Sequence, residues 1–554
     1  MPASALTPSW LPRRGRPIER PLELMYSIPA VALADHPDWL DRVLDYPTGQ
    51  LSRWVQVHHG HLFELAPLPR WSVPGHVVNA QRQEVLRRTI ERCHARRVRV
   101  AWMVGKLTPP AGLLAAHPAL ADLHTGAYWL LVEEAVGEIL AALPGLDEFS
   151  VYLFESPPFL DAHHFFGGFH HGSEASAWPY LAPADLLRAL LQAMSRACRR
   201  AGRSFSVLTH VWYPFQEQIL AAALGDWPDD LPLLLEHNYS TGDFNPHLPE
   251  NALLASRPHL RHGLLFCGGL EYAGLGEIPF CCPELMQERI ASAWDHTPRL
   301  ERLSFRPIWE DRCLLGTPNE VNLAAAVALA ANPWQDTDGL WLAWARPHFG
   351  AGAPAAIAAL QEAAAANLAV FFQGGTRTND HSALPGFDYL RSRAFNYGKA
   401  LIEWQPTPRV KQDLWEMLIA PGDRALRRNR ELHAGAEAAA ARAGAVLAAL
   451  PSDLRTSSGL PLGQGLDLLR EWIRVHRRQM EALLRWRRHT LAPEGGELPE
   501  LEQVLAQLDA GAAALEAADP PVSPLIAPAR VRRFTTELRR ALAATPATEV
   551  PPPP

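Results

Sequence analysis

Apolar positions over residues 21–310 follow two alternating rhythms. Short strand-type runs occupy 22–31, 54–65, 98–104, 149–154, 204–213, 231–238, 263–270 and 303–309. Between several of them lie stretches of helical period, at 79–96, 128–143, 183–201 and 283–295. In the first of these stretches Val85, Leu86, Ile90 and Cys93 share one face. Eight strands mostly separated by helices, over about 310 residues, predict an α/β fold: a (β/α)8 TIM barrel with long loops after its strands.

Beyond Asn332-Pro333 the rhythm becomes helical throughout. Alanine-rich stretches at 354–372, 388–403, 423–450, 466–488, 498–517 and 529–543 predict an α-helical C-terminal domain. Gly374-Gly375, Pro421-Gly422 and Gly495-Gly496 separate them. The expected organisation is an N-terminal arm (1–20), a catalytic barrel (21–332), the helical domain (333–544) and a disordered proline-rich tail (545–554).

Composition narrows the class. The 554 residues are 48% hydrophobic and 20% charged, as in a folded soluble protein. A net charge of −7 argues against nucleic acid, whose phosphates need a basic face. Arg474, Arg477, Arg478, Arg485, Arg487 and Arg488 read as a solvated helix face. The six cysteines lie mainly in apolar or helical contexts without paired spacing, so reduced thiols are expected. Residues 1–17 have no apolar signal-peptide core, and no apolar run is read as membrane-spanning. A cytoplasmic protein that binds no membrane is the expectation.

The candidate chemistry sits just past the ends of three apolar runs. The run 233–238 leads to Gly242-Asp243-Phe244, read as a loop. Twenty-eight residues after Asp243, a second run leads to Gly269-Leu270-Glu271-Tyr272. A third, 149–154, ends in Glu155-Ser156-Pro157-Pro158. In a parallel barrel these ends form the mouth, and three carboxylates there suit glycoside hydrolysis: one donates a proton, the others activate water. The apolar setting of Glu155, between Phe154 and the prolines, suits a general acid. Asp243 and Glu271 suit the base, with Asn238 and Tyr272 beside them.

These motifs resemble glycoside hydrolase family 67, the α-glucuronidases. Asp243-Phe244 and Glu271-Tyr272 match the family's water-activating pair in type and spacing, and Glu155-Ser156-Pro157-Pro158 is similar to its general-acid fragment. Val321-Asn322-Leu323 to Ala331-Asn332-Pro333, and Trp341-Leu342-Ala343-Trp344 to Phe349-Gly350, resemble two later family motifs. The resemblance covers roughly residues 80–375. It implies a glycosidase with Glu155 as acid and Asp243 and Glu271 acting on water.

Two departures change the expected substrate. Before the barrel there is room for an arm only, where the family has a β-domain. The family's uronate-binding cations match Val151, Thr209 or His210, and Asn238 here. A buried uronate carboxylate needs partner charges, so a neutral terminal sugar on a small oligosaccharide or glycoside is expected. The alternative of an α-glucuronidase proper stays open, as do a retaining mechanism and an inactive sugar-binding barrel. Other substrate-binding candidates are His163 and His164 in a histidine-rich loop, Trp212 and Trp309 as stacking surfaces, and Arg312. No metal is assigned to that loop or to His58-His59-Gly60-His61, and no cofactor motif is present. A homodimer through the helical domain is an open expectation.

Overall fold

The computed structural model describes residues 20–71, 76–107, 112–121, 126–153, 183–211, 214–373, 376–392, 420–518 and 523–544. Residues 1–19 of the arm, the tail, Glu155, His163, His164 and Trp212 lie outside them.

Eight parallel strands close into a barrel in chain order. They are β1 (Glu23–Pro29), β2 (Arg53–His61), β3 (Arg99–Lys106), β4 (Glu148–Leu153), β5 (Ser204–Thr209), β6 (Leu234–Asn238), β7 (Arg261–Phe266) and β8 (Leu300–Phe305). Leu24 of β1 lies in register with Leu303 of β8 and seals the ring. Between β2 and β3 the register shifts around Gly60. A Cβ on Gly60 would sit 2.1 Å from the Trp102 ring, so the bulge depends on the missing side chain.

The lower barrel interior is polar. Arg302 on β8 reaches across to Glu148 on β4 with two bonds of 2.7 and 2.8 Å, and both side chains are about 1% exposed. Ser206 adds a 2.7 Å bond to Glu148. One layer up, Gln56 on β2 bonds Glu236 on β6 at 3.2 Å and accepts from Ser27, while Ser304 also donates to Glu236. Burial pushes both carboxyls toward the neutral form. For Glu148 the Arg302 guanidinium more than offsets this and lowers its pKa; for Glu236 burial wins and the pKa is raised.

The expected barrel is therefore present, with six strands shorter than expected, β4 of equal length and β3 one residue longer. The last predicted strand divides: β8 stops at Phe305, and Ile308–Trp309 (β9) pairs antiparallel with Arg312–Cys313 (β10). Pro307 explains the break, since it has no N–H to continue a ladder. Between β6 and β7 stand only two four-residue helices, Thr241–Phe244 and Leu253–Ser256. Asp243 thus lies on a helical turn rather than a loop. All six cysteines are free.

The C-terminal part is helical. Its main elements are Glu320–Ala331, Thr337–Phe349, Ala353–Phe371, Asp423–Ala448, Leu462–Leu491, Leu498–Glu516 and Pro528–Ala543. The expected 388–403 helix is seen as Phe387–Ser392, and the remainder falls outside the described residues. One correction concerns 337–371: this stretch is long and apolar enough to cross a membrane, its most apolar 18 residues having mean hydropathy 1.3. Half of its apolar window is buried, and Leu360 and Phe371 join the main core. That core is a single apolar cluster running from Leu24 and Phe305 of the barrel to Trp472 and Phe534 of the helices.

Candidate active site

Glu271 stands on the loop after β7, 5% exposed. Gly268 and Gly269 shape that loop with φ of 66° and 89°. A Cβ on Gly268 would meet the Phe305 ring at 2.6 Å, so both backbone angle and space demand glycine. The helix Glu320–Ala331 holds the loop from outside. Asn322 donates to the Gly268 and Phe280 carbonyls at 3.0 and 2.7 Å and accepts from the Cys282 N–H at 2.8 Å. Asn319 bonds the Gly269 carbonyl and the Phe280 N–H. Asn322→Ala is expected to cost about 2–4 kcal/mol through three lost buried hydrogen bonds. It should also lower kcat about tenfold by loosening Glu271. Urea unfolding and steady-state rates on the same preparation check both.

Arg306, just past β8, ion-pairs with Glu271 at 2.8 Å, and both side chains are buried. Its guanidinium also stands 4.5 Å from the Trp309 ring and 4.9 Å from the Phe244 ring. The Phe244 contact brings the turn bearing Asp243 beside the Glu271 pair. The Asp243 side chain itself lies outside the described part of the structure. Trp309 stacks on His58 of β2 at 5.6 Å, and His210 after β5 stacks on Tyr152 of β4 at 5.0 Å. Asn238 ends β6 with 4% exposure, and no bond to its amide is seen among the described residues.

A second group reaches the mouth from the segment between the helices Ala353–Phe371 and Phe387–Ser392. Arg377 lies 3.7 Å over the Tyr272 ring. His381 Nε2 is 3.8 Å from Glu271 Oε1, and the His381 ring tilts against Tyr272 at 5.3 Å. This segment is stitched to the Glu271 loop. Ser382 Oγ lies 3.1 and 3.0 Å from the carbonyls of Leu270 and Glu271 and accepts from the Gly274 N–H at 2.7 Å. Asn379 donates to the Tyr272 carbonyl. From the other side His476 contacts the Thr378 carbonyl at 3.1 Å, and Gln479 donates to that of Pro385.

Of the expected residues, Glu271 and Trp309 meet at Arg306, Tyr272 stands against Arg377 and His381, and Asn238 ends a barrel strand. Arg312 is engaged elsewhere, 3.5 Å from Glu277 and 3.3 Å from Asp311. Arg306, Arg377 and His381 are additions. Arg306 follows Leu303-Ser304-Phe305, the strand-end position that located the carboxylates. An apolar cavity behind the loop is bordered by Phe244, Cys267, Tyr272 and Phe372, with no carboxylate among the described lining residues.

No family model matches the sequence, and no curated protein matches it. Solved structures do. A GH138 enzyme targeting pectin rhamnogalacturonan II has a TM-score of 0.57 at 11% identity, covering 96% of this chain and 68% of that one. The likeness is one of fold. A mutant of the Thermobaculum terrenum O-GlcNAc hydrolase follows at TM-score 0.40 and 11% identity, covering 94% of this chain and 95% of that one. A GH115 4-O-methyl-α-glucuronidase with specificity for decorated arabinogalactans has TM-score 0.41 and 10% identity, with coverage of 93% and 61%. The likeness to the GH138 enzyme shows the barrel fold and does not reach the family 67 motifs.

Proposed function

We propose that this protein is an inverting, exo-acting glycoside hydrolase with its site at the barrel mouth. The observation that carries the reading is Glu271. It is a buried carboxylate past β7, paired with Arg306 through Oε2 and facing His381 through Oε1. In this reading Glu271 and Asp243 take the proton of the attacking water, and Glu155 protonates the leaving oxygen. The similar fold of the GH138 enzyme supports the same class. A panel of 4-nitrophenyl glycosides, with proton NMR of the first-formed sugar, tests it. Inversion is expected; retention would move Glu271 or Asp243 to a nucleophile's role, and no turnover by any member would overturn the reading.

An acidic sugar has a specific observation in its favour. The neutral-sugar expectation rested on strand ends without cations, whereas Arg306, Arg377 and His381 all stand around Glu271 and Tyr272. The cations come from positions other than those matched in the family. On this reading, Arg377→Ala should lower kcat/KM for aryl hexuronides by about 10- to 100-fold, the loss of one charge-assisted contact. Matching neutral hexosides should change less than about threefold. A neutral-sugar enzyme would show the reverse preference in the wild type and no selective loss in the variant.

A further inference from the structure

We infer that His381 is a positioning residue for Glu271, held in place by Asp380 and Arg530 from the C-terminal helices. This rests on the proposed role of Glu271 as base. Charges alternate along one line of contacts. Arg530, on the helix Pro528–Ala543, lies 3.2 Å from Asp380. Asp380 Oδ1 lies 3.0 Å from His381 Nδ1, His381 Nε2 lies 3.8 Å from Glu271 Oε1, and Arg306 closes the line at Oε2. Asp380 thus does for His381 what an orienting carboxylate does for any working imidazole: it fixes the ring and keeps a proton on Nδ1. The remaining nitrogen is aimed at the carboxylate.

The backbone supports the same assignment. His381 and Ser382 have φ of 48° and 70°, a left-handed conformation that costs non-glycine residues about 1–2 kcal/mol each. Hydrogen bonds from Ser382 and Asn379 hold the strained pair against residues 270–274. Such strain persists where the surroundings enforce it, and here they present one imidazole to one carboxylate. Asp380 and Glu271 favour its protonated form; Arg377, on the same segment, opposes it. The net effect, led by the Asp380 bond and resisted by burial, raises its pKa above 6.5. Its side chain is 52% exposed, so its proton exchanges with solvent while Glu271 stays covered.

The imidazolium therefore faces Oε1 below its raised pKa and loses its charge as pH rises through that value. Two measurements on the full chain test this. The first is an NMR titration of ring-13C-histidine protein, with His381 assigned by the signal missing in His381→Asn. Its pKa should lie above 6.5 in the wild type and fall in Glu271→Gln and in Asp380→Asn. An unchanged His381 pKa in Glu271→Gln overturns the inference whatever the activity. The second is the pH profile of kcat/KM on the best 4-nitrophenyl glycoside. The alkaline decline should vanish in His381→Asn, with kcat about 10- to 100-fold lower and KM nearly unchanged. A wild-type profile in that variant also overturns it. If no glycoside is turned over, the glycosidase reading fails, and the titration alone decides whether His381 and Glu271 are coupled.

Discussion

Glu271→Gln should lower kcat about 1,000-fold while leaving the far-ultraviolet spectrum unchanged. General-base removal is worth about 100- to 10,000-fold, and the proposed base, held between Arg306 and His381, belongs toward the upper part of that range. Glutamine keeps the shape and one acceptor oxygen for Arg306, so the fold survives. Glu271→Ala is a sharper test, because it leaves a space beside a buried guanidinium. Added formate or azide should restore part of its activity by occupying that space as an anion. Full activity in either variant without added anion would remove Glu271 from the chemistry.

Arg302→Met should be the most destabilising single change in the barrel interior. It strands Glu148, about 1% exposed, without its guanidinium partner, a loss of about 3–5 kcal/mol for a broken buried pair. Because Arg302 lowers the Glu148 pKa, the pair contributes above the ordinary carboxylate range, and that contribution fades as pH falls through the lowered value. The variant should therefore lose most stability near neutral pH and converge on the wild type in acid. Adding Glu148→Leu should recover much of the loss, since an apolar pair of similar volume costs little. Urea unfolding at several pH values checks both; a double variant no better than Arg302→Met would show that the pair's polar bonds, including that from Ser206, matter more than its charge.

The barrel was legible because its strands are short apolar runs with a fixed rhythm, and Glu271 because it follows such a run directly. Arg306 stood at an equivalent place. Taking 303–309 as one strand concealed it, although Pro307 marks the stop. His381 and Arg377 follow no periodic pattern. The signal they left was compositional: Thr376-Arg377-Thr378-Asn379-Asp380-His381-Ser382 is an unbroken polar string between apolar Phe371-Phe372 and Ala383-Leu384. Most of it is buried, and buried polar groups call for partners, which Thr378, Asn379 and Ser382 find in nearby backbone groups. The bulk of the helical region was legible for the opposite reason. Leu466, Leu469, Trp472, Ile473, Met480 and Leu483 recur at helical spacing, and all are buried in the core. Which carbonyls His476 and Gln479 meet on that face depends on packing that one helix's periodicity does not encode.

The line from Arg530 to Glu271 also sets an order of events during synthesis. The barrel strands are complete at Phe305, whereas Arg530 is made 225 residues later. At about 5–20 residues per second that interval is roughly 10–45 s. A ribosome-bound chain can close its sheet during that time while Asp380 still lacks its outer cation. The complete charge line is therefore available only once translation has passed Arg530 on the last helix.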